Sequence, residues 1–259
     1  MTSMEFERRF GGVRRLYGEA ALTRFQAAHV CVVGIGGVGS WAVEALARNA
    51  IGRLTLIDLD NIAESNINRQ IHALDGAFGK AKVTVMAERI QLINPPCQIR
   101  QIEDFITVDN VSALLGDAHY DGIIDAIDDA RAKAALAAYC RERKLPLIMT
   151  GGAGGRFNAT RIKSADLART AGDRLLSKVR TLVRREYGFP KGEKARFGIP
   201  CIYSDEPITR PVVCEGEDNG LNGLSCAGYG SSVCVTAPFG FAAAGLVLDM
   251  LAKTATTGT

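Results

Sequence analysis

The stretch VVGIGGVGSW, Val32 to Trp41, sets four glycines and a serine directly behind an apolar run. Gly34, Gly36 and Gly39 fit G-x-G-x-x-G, with a β-branched run before them and a helix-forming run after them. The first glycine permits a tight turn, the second lets backbone N–H groups approach a phosphate, and the third lets the helix pack closely on the strand. Phosphate oxygens then lie at the positive end of that helix. A tight turn that holds no ligand is the plainer alternative for the glycines alone.

Outward from this turn the chain alternates. Residues 29–34, 53–58, 97–102, 120–127 and 145–151 read as strands buried on both faces, and residues 38–49, 79–93, 108–116 and 129–144 carry helix formers at helical spacing. That alternation predicts an α/β fold, a doubly wound, mainly parallel sheet of Rossmann-like type. After Gly155 the regularity breaks. RFNATRIK (156–163) reads as a strand, residues 171–187 as a basic helix, and IPCIYSDE (199–206) as a strand within a Gly/Pro/Asp-rich stretch. A single domain over 1–259 fits the length, with 1–155 as the nucleotide-binding half and 156–259 as the less regular half for substrate and dimer contacts.

Asp58 ends the second strand nineteen residues after Gly39, where a carboxylate accepts hydrogen bonds from ribose hydroxyls. To this point NAD and ATP fit equally. SNINRQ (65–70) follows Asp60 closely, and Lys82 lies just beyond. A triphosphate carries more charge than a pyrophosphate shared by two nucleosides and needs cations, which Arg69 and Lys82 supply; Asn66 and Gln70 add polar groups. Asp125, Asp128 and Asp129 fall at the carboxyl end of the fourth strand, where a carboxylate suits Mg²⁺ bridging phosphate oxygens. Asp129 also reads as the cap of the helix that follows.

GIGGVGSW, LIDLDNIAESNINRQ, GKAK and DAIDD, in this order and spacing, resemble the ThiF/MoeB family, relatives of the ubiquitin-activating enzymes. The resemblance implies a homodimer that adenylates a carboxylate with ATP and Mg²⁺ and releases pyrophosphate. It implies that Gly36, Gly37 and Gly39 line the phosphate turn, that Asp58 holds the ribose, that Asn66, Arg69 and Lys82 contact the triphosphate, and that Asp128 binds Mg²⁺. Gly34, Asp60 and Gln70 complete the candidate nucleotide set, and Arg69, Lys82 and Asp128 are the catalytic candidates.

The chain departs from family habits in three places. It has no CxxC pair, so no structural zinc is expected. Gly12 stands where the family often has an arginine that reaches the partner subunit's phosphates, leaving Arg9, Arg14 or Arg15 to substitute. Between Arg161 and Arg196 eleven Lys and Arg face four acids, a local +7 against a total of +3. Arg161, Lys163, Arg174, Lys178, Arg184, Arg185, Lys191 and Lys194, with Tyr187, Phe189 and Phe197 interleaved, suit a nucleic-acid backbone better than a small acidic carrier protein. The whole chain looks like the branch of the family that acts on tRNA, which implies ATP-dependent closure of a ring from a threonine-derived carboxylate on an anticodon-loop adenosine. Activation of a sulfur-carrier protein is the competing reading.

The same resemblance suggests a cysteine desulfurase or sulfur-acceptor partner, for which Cys214, in a polar loop, and Cys234, in an apolar run that predicts burial, are the candidate thiols. Seven irregularly spaced cysteines and no leader pattern predict reduced thiols in a cytoplasmic setting. The apolar run of residues 233–252 reads as a buried core helix because Pro238, Gly240, Gly245 and Asp249 interrupt it, with peripheral membrane contact as the alternative. His29 and His72 read as packing residues.

Overall fold

The computed structural model describes residues 1–116, 118–209 and 229–256. Two helices open the chain, α1 (Ser3–Tyr17) and α2 (Glu19–Ala27). Thr2 and Glu5 form a capping box at the start of α1, with the Thr2 hydroxyl accepting from the Glu5 N–H and the Glu5 carboxylate accepting from the Thr2 N–H. The alternating units follow: β1 (His29–Val33), α3 (Gly39–Arg48), β2 (Arg53–Ile57), α4 (Lys82–Ile93), β3 (Gln98–Ile102), α5 (Val111–Leu115), β4 (Gly122–Asp125), α6 (Ala130–Arg143) and β5 (Leu147–Thr150). The remainder supplies β6 (Ile162–Asp166), α7 (Arg174–Glu186), β7 (Pro200–Ser204) and α8 (Val233–Thr256).

The seven strands run in the order β3-β2-β1-β4-β5-β7-β6. Every pair is parallel except β6 with β7. This is the doubly wound sheet that the alternation predicts, extended by a second pair at one edge. Val33 stands beside both Ile57 and Asp125, so the residues just after β1, β2 and β4 converge at one end of the sheet. The side chains of β1 alternate faces as a strand's must. Val30 and Val32 pack with α2, α3, α4 and α8, while Cys31 and Val33 pack with α5, α6 and α7.

Two local expectations change, and two helices come without one. β3 is not buried on both faces: it forms the sheet edge, and Gln98, Arg100 and Gln101 are exposed, which suits an edge that needs only one covered side. The strand read at 156–163 begins only at Ile162, after a 3₁₀ turn over Ala159–Arg161. Helices α1 and α2 went unread, although the capping box that starts the first is visible in the sequence.

Helix α8 is long and apolar enough to cross a membrane, but half of its most apolar window is buried. Val235, Phe239, Ala243, Ala244 and Val247 are wholly buried in the core beneath the sheet. Gly240 allows it to cross α3 closely, since a Cβ there would lie 2.4 Å from the Val38 carbonyl oxygen.

Candidate active site

A cavity of about 580 Å³ lies along the carboxyl ends of the strands. Its walls are the glycine turn, the residues after β2, the loop after β3 (104–109), the β4–α6 loop, residues 150–153, and single side chains from α7 and α8. Gly34 has φ +85°, and a Cβ on Gly39 would lie 1.7 Å from the Gly34 carbonyl oxygen, so both positions demand glycine for geometric reasons. The turn is thereby drawn tight enough for the N-cap of α3, Val38, to line the cavity.

Asp58 secures that turn. Its Oδ2 accepts from the Ile35 N–H at 2.6 Å and its Oδ1 from the Asp60 N–H at 2.9 Å. The Lys82 ammonium lies 2.6 Å from Asp60 Oδ2 and 3.7 Å from Asp58 Oδ1. Burial pushes the Asp58 carboxyl upward, opposed chiefly by Lys82. The glycine turn, two carboxylates and a buried ammonium thus form one unit that fixes Lys82 at the cavity wall.

Arg69 is placed by its backbone. The Trp41 indole N–H donates to the Arg69 carbonyl at 2.9 Å, so Trp41 positions this segment and also meets Phe241 edge-on at 5.7 Å. The Arg69 Nη1 donates to the Ser65 carbonyl at 2.7 Å and to Asn68 Oδ1 at 3.0 Å. Its stem passes Gly37, where a Cβ would stand 3.2 Å from Arg69 Cγ. Gln70 lines the cavity, buried, with its Oε1 unpartnered. Asn66 turns inward instead: its Oδ1 accepts from the Ala63 N–H at 3.1 Å, and it is not part of the cavity wall.

The three acids after β4 divide their roles. Asp125 is wholly buried and paired with the Lys133 ammonium at 2.8 Å, so it is a structural group rather than a surface carboxylate. Asp129 caps α6, accepting from the Ala132 N–H at 2.7 Å. Asp128 is exposed on the cavity wall.

The basic segment splits. Arg161 and Lys163 are engaged by Asp205, Arg161 at 2.9 Å, and Arg185 pairs with Glu186. Arg184 lies 5.3 Å from the centre of the Phe197 ring. Phe189 and Phe197 pack on each other, 5.0 Å between centres, and Phe189 is buried, so these aromatics fill a core rather than offer an open stacking surface. Arg174, Lys178, Lys191 and Lys194 are exposed. Leu176, Val179, Leu182 and Val183 bury the inner face of α7, leaving Arg174, Lys178 and Arg185 along one outer stripe at helical spacing. Leu175, in the first turn of the same helix, lines the cavity.

Several features were missed from the sequence. Arg131, the loop 104–109, residues 150–153, Ser231 and Thr236 all line the cavity, and only the last two had a signal, a serine pair before an apolar run. Arg156 and Asp173 form a buried ion pair at 3.0 Å, and Asp173 also caps α7 and accepts from the Gly152 N–H. Cys234 is exposed, contrary to expectation, because it precedes the point at which α8 enters the core. Cys214 lies outside the described residues. Arg9 donates to the Leu92 and Ile93 carbonyls, both at 2.8 Å, and Arg14 pairs with Glu7 and Glu19, so only Arg15 of the three is uncommitted among the described residues.

His72 is buried, with neither ring nitrogen partnered. Burial, with the charges of Lys82 and Arg89, lowers its pKa from 6.5 to about 4. Between those values the unfolded chain takes up a proton that the folded chain refuses, so stability falls as the pH drops through that window, by up to about 3 kcal/mol. Urea midpoints measured from pH 7 to 4 are expected to show a shallower decline in His72→Gln than in the parent; an identical decline would refute the assignment.

Fold and cavity together define a doubly wound nucleotide-binding domain in which a glycine turn, two cations and a free carboxylate share one cavity. The ThiF family model matches residues 10–253, and the chain belongs to that family. It is 49% identical over 261 residues to the tRNA threonylcarbamoyladenosine dehydratase of Escherichia coli K12, covering 98% of this chain and 97% of the relative. To the protein of the same name from Haemophilus influenzae it is 48% identical over 249 residues, covering 96% and 95%. The crystal structure of the E. coli dehydratase in complex with ATP superposes with a TM-score of 0.90 at 46% identity over 100% of both chains. Its complex with AMP gives 0.88 at 48%, covering 98% of this chain and 99% of that one.

Proposed function

We propose that this protein uses ATP to dehydrate threonylcarbamoyladenosine in the tRNA anticodon loop. The observation that carries this reading is one cavity with a phosphate turn and two cations at one end, and with the first turn of a cation-faced helix in its wall. The Escherichia coli and Haemophilus influenzae relatives carrying that activity's name match along 98% and 96% of the chain.

A carboxylate is a poor electrophile because its leaving group would be oxide. One carboxylate oxygen attacks the α-phosphorus of ATP and pyrophosphate departs, leaving an acyl adenylate. A nucleophile of the same threonylcarbamoyl side chain then attacks the acyl carbon, and AMP leaves as the ring closes. Tethering does much of the work in the second step. Backbone N–H groups of the glycine turn, Arg69 and Lys82 stabilise charge developing on the α-phosphate, and Gly34, Gly36, Asp58 and Asp60 shape the nucleotide end. Asp128, an exposed carboxylate on the same wall, fits Mg²⁺, which when bound would neutralise phosphate charge. We assign no zinc, because the chain has no CxxC pair.

On this reading residues 1–155 bind the nucleotide and 156–259 meet tRNA and a second copy. The homodimer implied by the family would use the apolar surface around Arg69, where Ile67 and Phe241 are exposed. The setting is cytoplasmic, and a sulfur-handling partner would meet Cys234, through which no step of the dehydration passes.

Incubation with Mg-ATP and tRNA carrying threonylcarbamoyladenosine should remove one water from the modified nucleoside with matching AMP, and unmodified tRNA should yield neither. AMP release only on adding a small sulfur-carrier protein would overturn the reading. For the helix, Lys178→Ala/Arg185→Ala should weaken binding of all tRNAs alike and reduce the slope of log K against log salt by about 1.5. An unchanged slope would remove α7 from the RNA contact.

A further inference from the structure

The sheet order divides the cavity. The loop after β3, the residues after β2 and the glycine turn occupy one end, and these, with Asp128 as the Mg²⁺ ligand at the boundary, are the parts assigned to the nucleotide. The other end is walled by the β4–α6 loop, residues 150–153 and Leu175. It adjoins the cationic helix, and the second substrate has to enter there. Among the described residues that line the cavity the cations are Arg69, Lys82 and Arg131, and only Arg131 belongs to this second end.

Arg131 is unusually placed. It is the second residue of α6, where unsatisfied backbone N–H groups already make the potential positive, and the first turn of that helix has no acid. Asp129 is occupied in capping, Asp125 is taken by Lys133, Asp128 is assigned to Mg²⁺, and no acid among the described residues pairs with Arg131. Arg156, the nearest buried cation in sequence beyond β5, is bound to Asp173 and does not line the cavity. An exposed guanidinium at the positive end of a helix, inside a cavity and in no ion pair among the described residues, is open to an anionic ligand. The triphosphate is assigned to the glycine turn, Arg69 and Lys82, with Asp128 of the β4–α6 loop reaching it through Mg²⁺, which leaves Arg131 as the one cation among the described lining residues not assigned to it.

We propose that Arg131 pairs with the carboxylate of the modified adenosine and thereby distinguishes the substrate from unmodified RNA. The inference rests on the dehydratase reading and extends it to substrate selection. The planar fork matches a carboxylate. It offsets the repulsion between that carboxylate and the triphosphate, and it leaves one oxygen lone pair facing the α-phosphorus.

The test compares parent, Arg131→Ala and Arg131→Lys. Affinity is measured by filter binding for one tRNA with and without threonylcarbamoyladenosine, in Mg²⁺ and α,β-methylene-ATP, so that no turnover occurs. The parent should prefer the modified tRNA. Arg131→Ala should lose about 10- to 100-fold in affinity for the modified tRNA alone, with nucleotide affinity unchanged, and its kcat/KM should fall at least as far. Arg131→Lys should recover part of the preference. Equal weakening toward both tRNAs would show a backbone contact and overturn the proposal. A raised Kd for the nucleotide analogue would make Arg131 an ATP ligand or report a damaged fold, and unchanged preference would leave it without this role; each overturns the proposal. Failure of the parent to dehydrate the modified tRNA is read separately and would fall on the dehydratase assignment itself.

Discussion

Lys82→Ala should lower kcat/KM for AMP formation by about 10²- to 10³-fold, the scale expected when a preorganised cationic donor is removed from a phosphoryl-transfer site. The ammonium is buried at the start of α4 and held 2.6 Å from Asp60. Its loss acts twice. The triphosphate loses a cation, and Asp58 and Asp60 are left as unscreened negative charge beside it. Nucleotide affinity and turnover should therefore fall together, and Lys82→Arg should recover little, because the pocket around a buried ammonium has no room for a guanidinium fork. Single-turnover AMP release, with the melting temperature as a control on folding, makes the measurement. A loss under tenfold in a folded variant would remove Lys82 from the catalytic set.

Lys133→Ala should be the most damaging single change to stability. Lys133 and Asp125 are both wholly inaccessible, with the ammonium 2.8 Å from Asp125 Oδ1 and 3.3 Å from the Asp125 carbonyl. Burial already pushes the Asp125 carboxyl upward, with Lys133 opposing it. Removing the cation leaves a buried charge with no partner, which costs about 3–5 kcal/mol, or roughly 10 °C in Tm for a domain of this size. Replacing both residues, as in Asp125→Asn/Lys133→Met, should recover a large part of the loss, since the cost lies in the orphaned charge rather than in the absent pair. Thermal unfolding of the three proteins decides it. A single variant within 1 °C of the parent would contradict the burial.

Much of this molecule is legible without coordinates, and the reason differs from residue to residue. The strands are readable because a parallel sheet covered on both faces requires continuous β-branched runs, and β1 and β4 have them. The glycine turn is readable because its spacing reflects two steric demands, positive φ at Gly34 and contact distance at Gly39, which no other residue type meets. Lys82 and Arg69 are readable as cations at family positions. Arg131 is not, because nothing in ARAKAAL separates a cavity-lining arginine from a solvent-facing one: the difference lies in which loop β5 and α7 bring opposite to it. The basic segment misled in part for the same reason. Composition counts charges but does not pair them, and Asp205, more than forty residues from Arg161 in sequence, takes up two of them.

The sequence by itself determined the class of fold, the glycine turn and the family, since those depend on local sterics and on periodicity, both of which are written in neighbouring residues. Tertiary structure alone decided which carboxylate after β4 is free, which cations of the 161–196 segment are open, and that Cys234 is exposed. Each of these is a question of partners, and burial or pairing is settled by groups far away in the chain, whose approach only the packed sheet and its covering helices bring about.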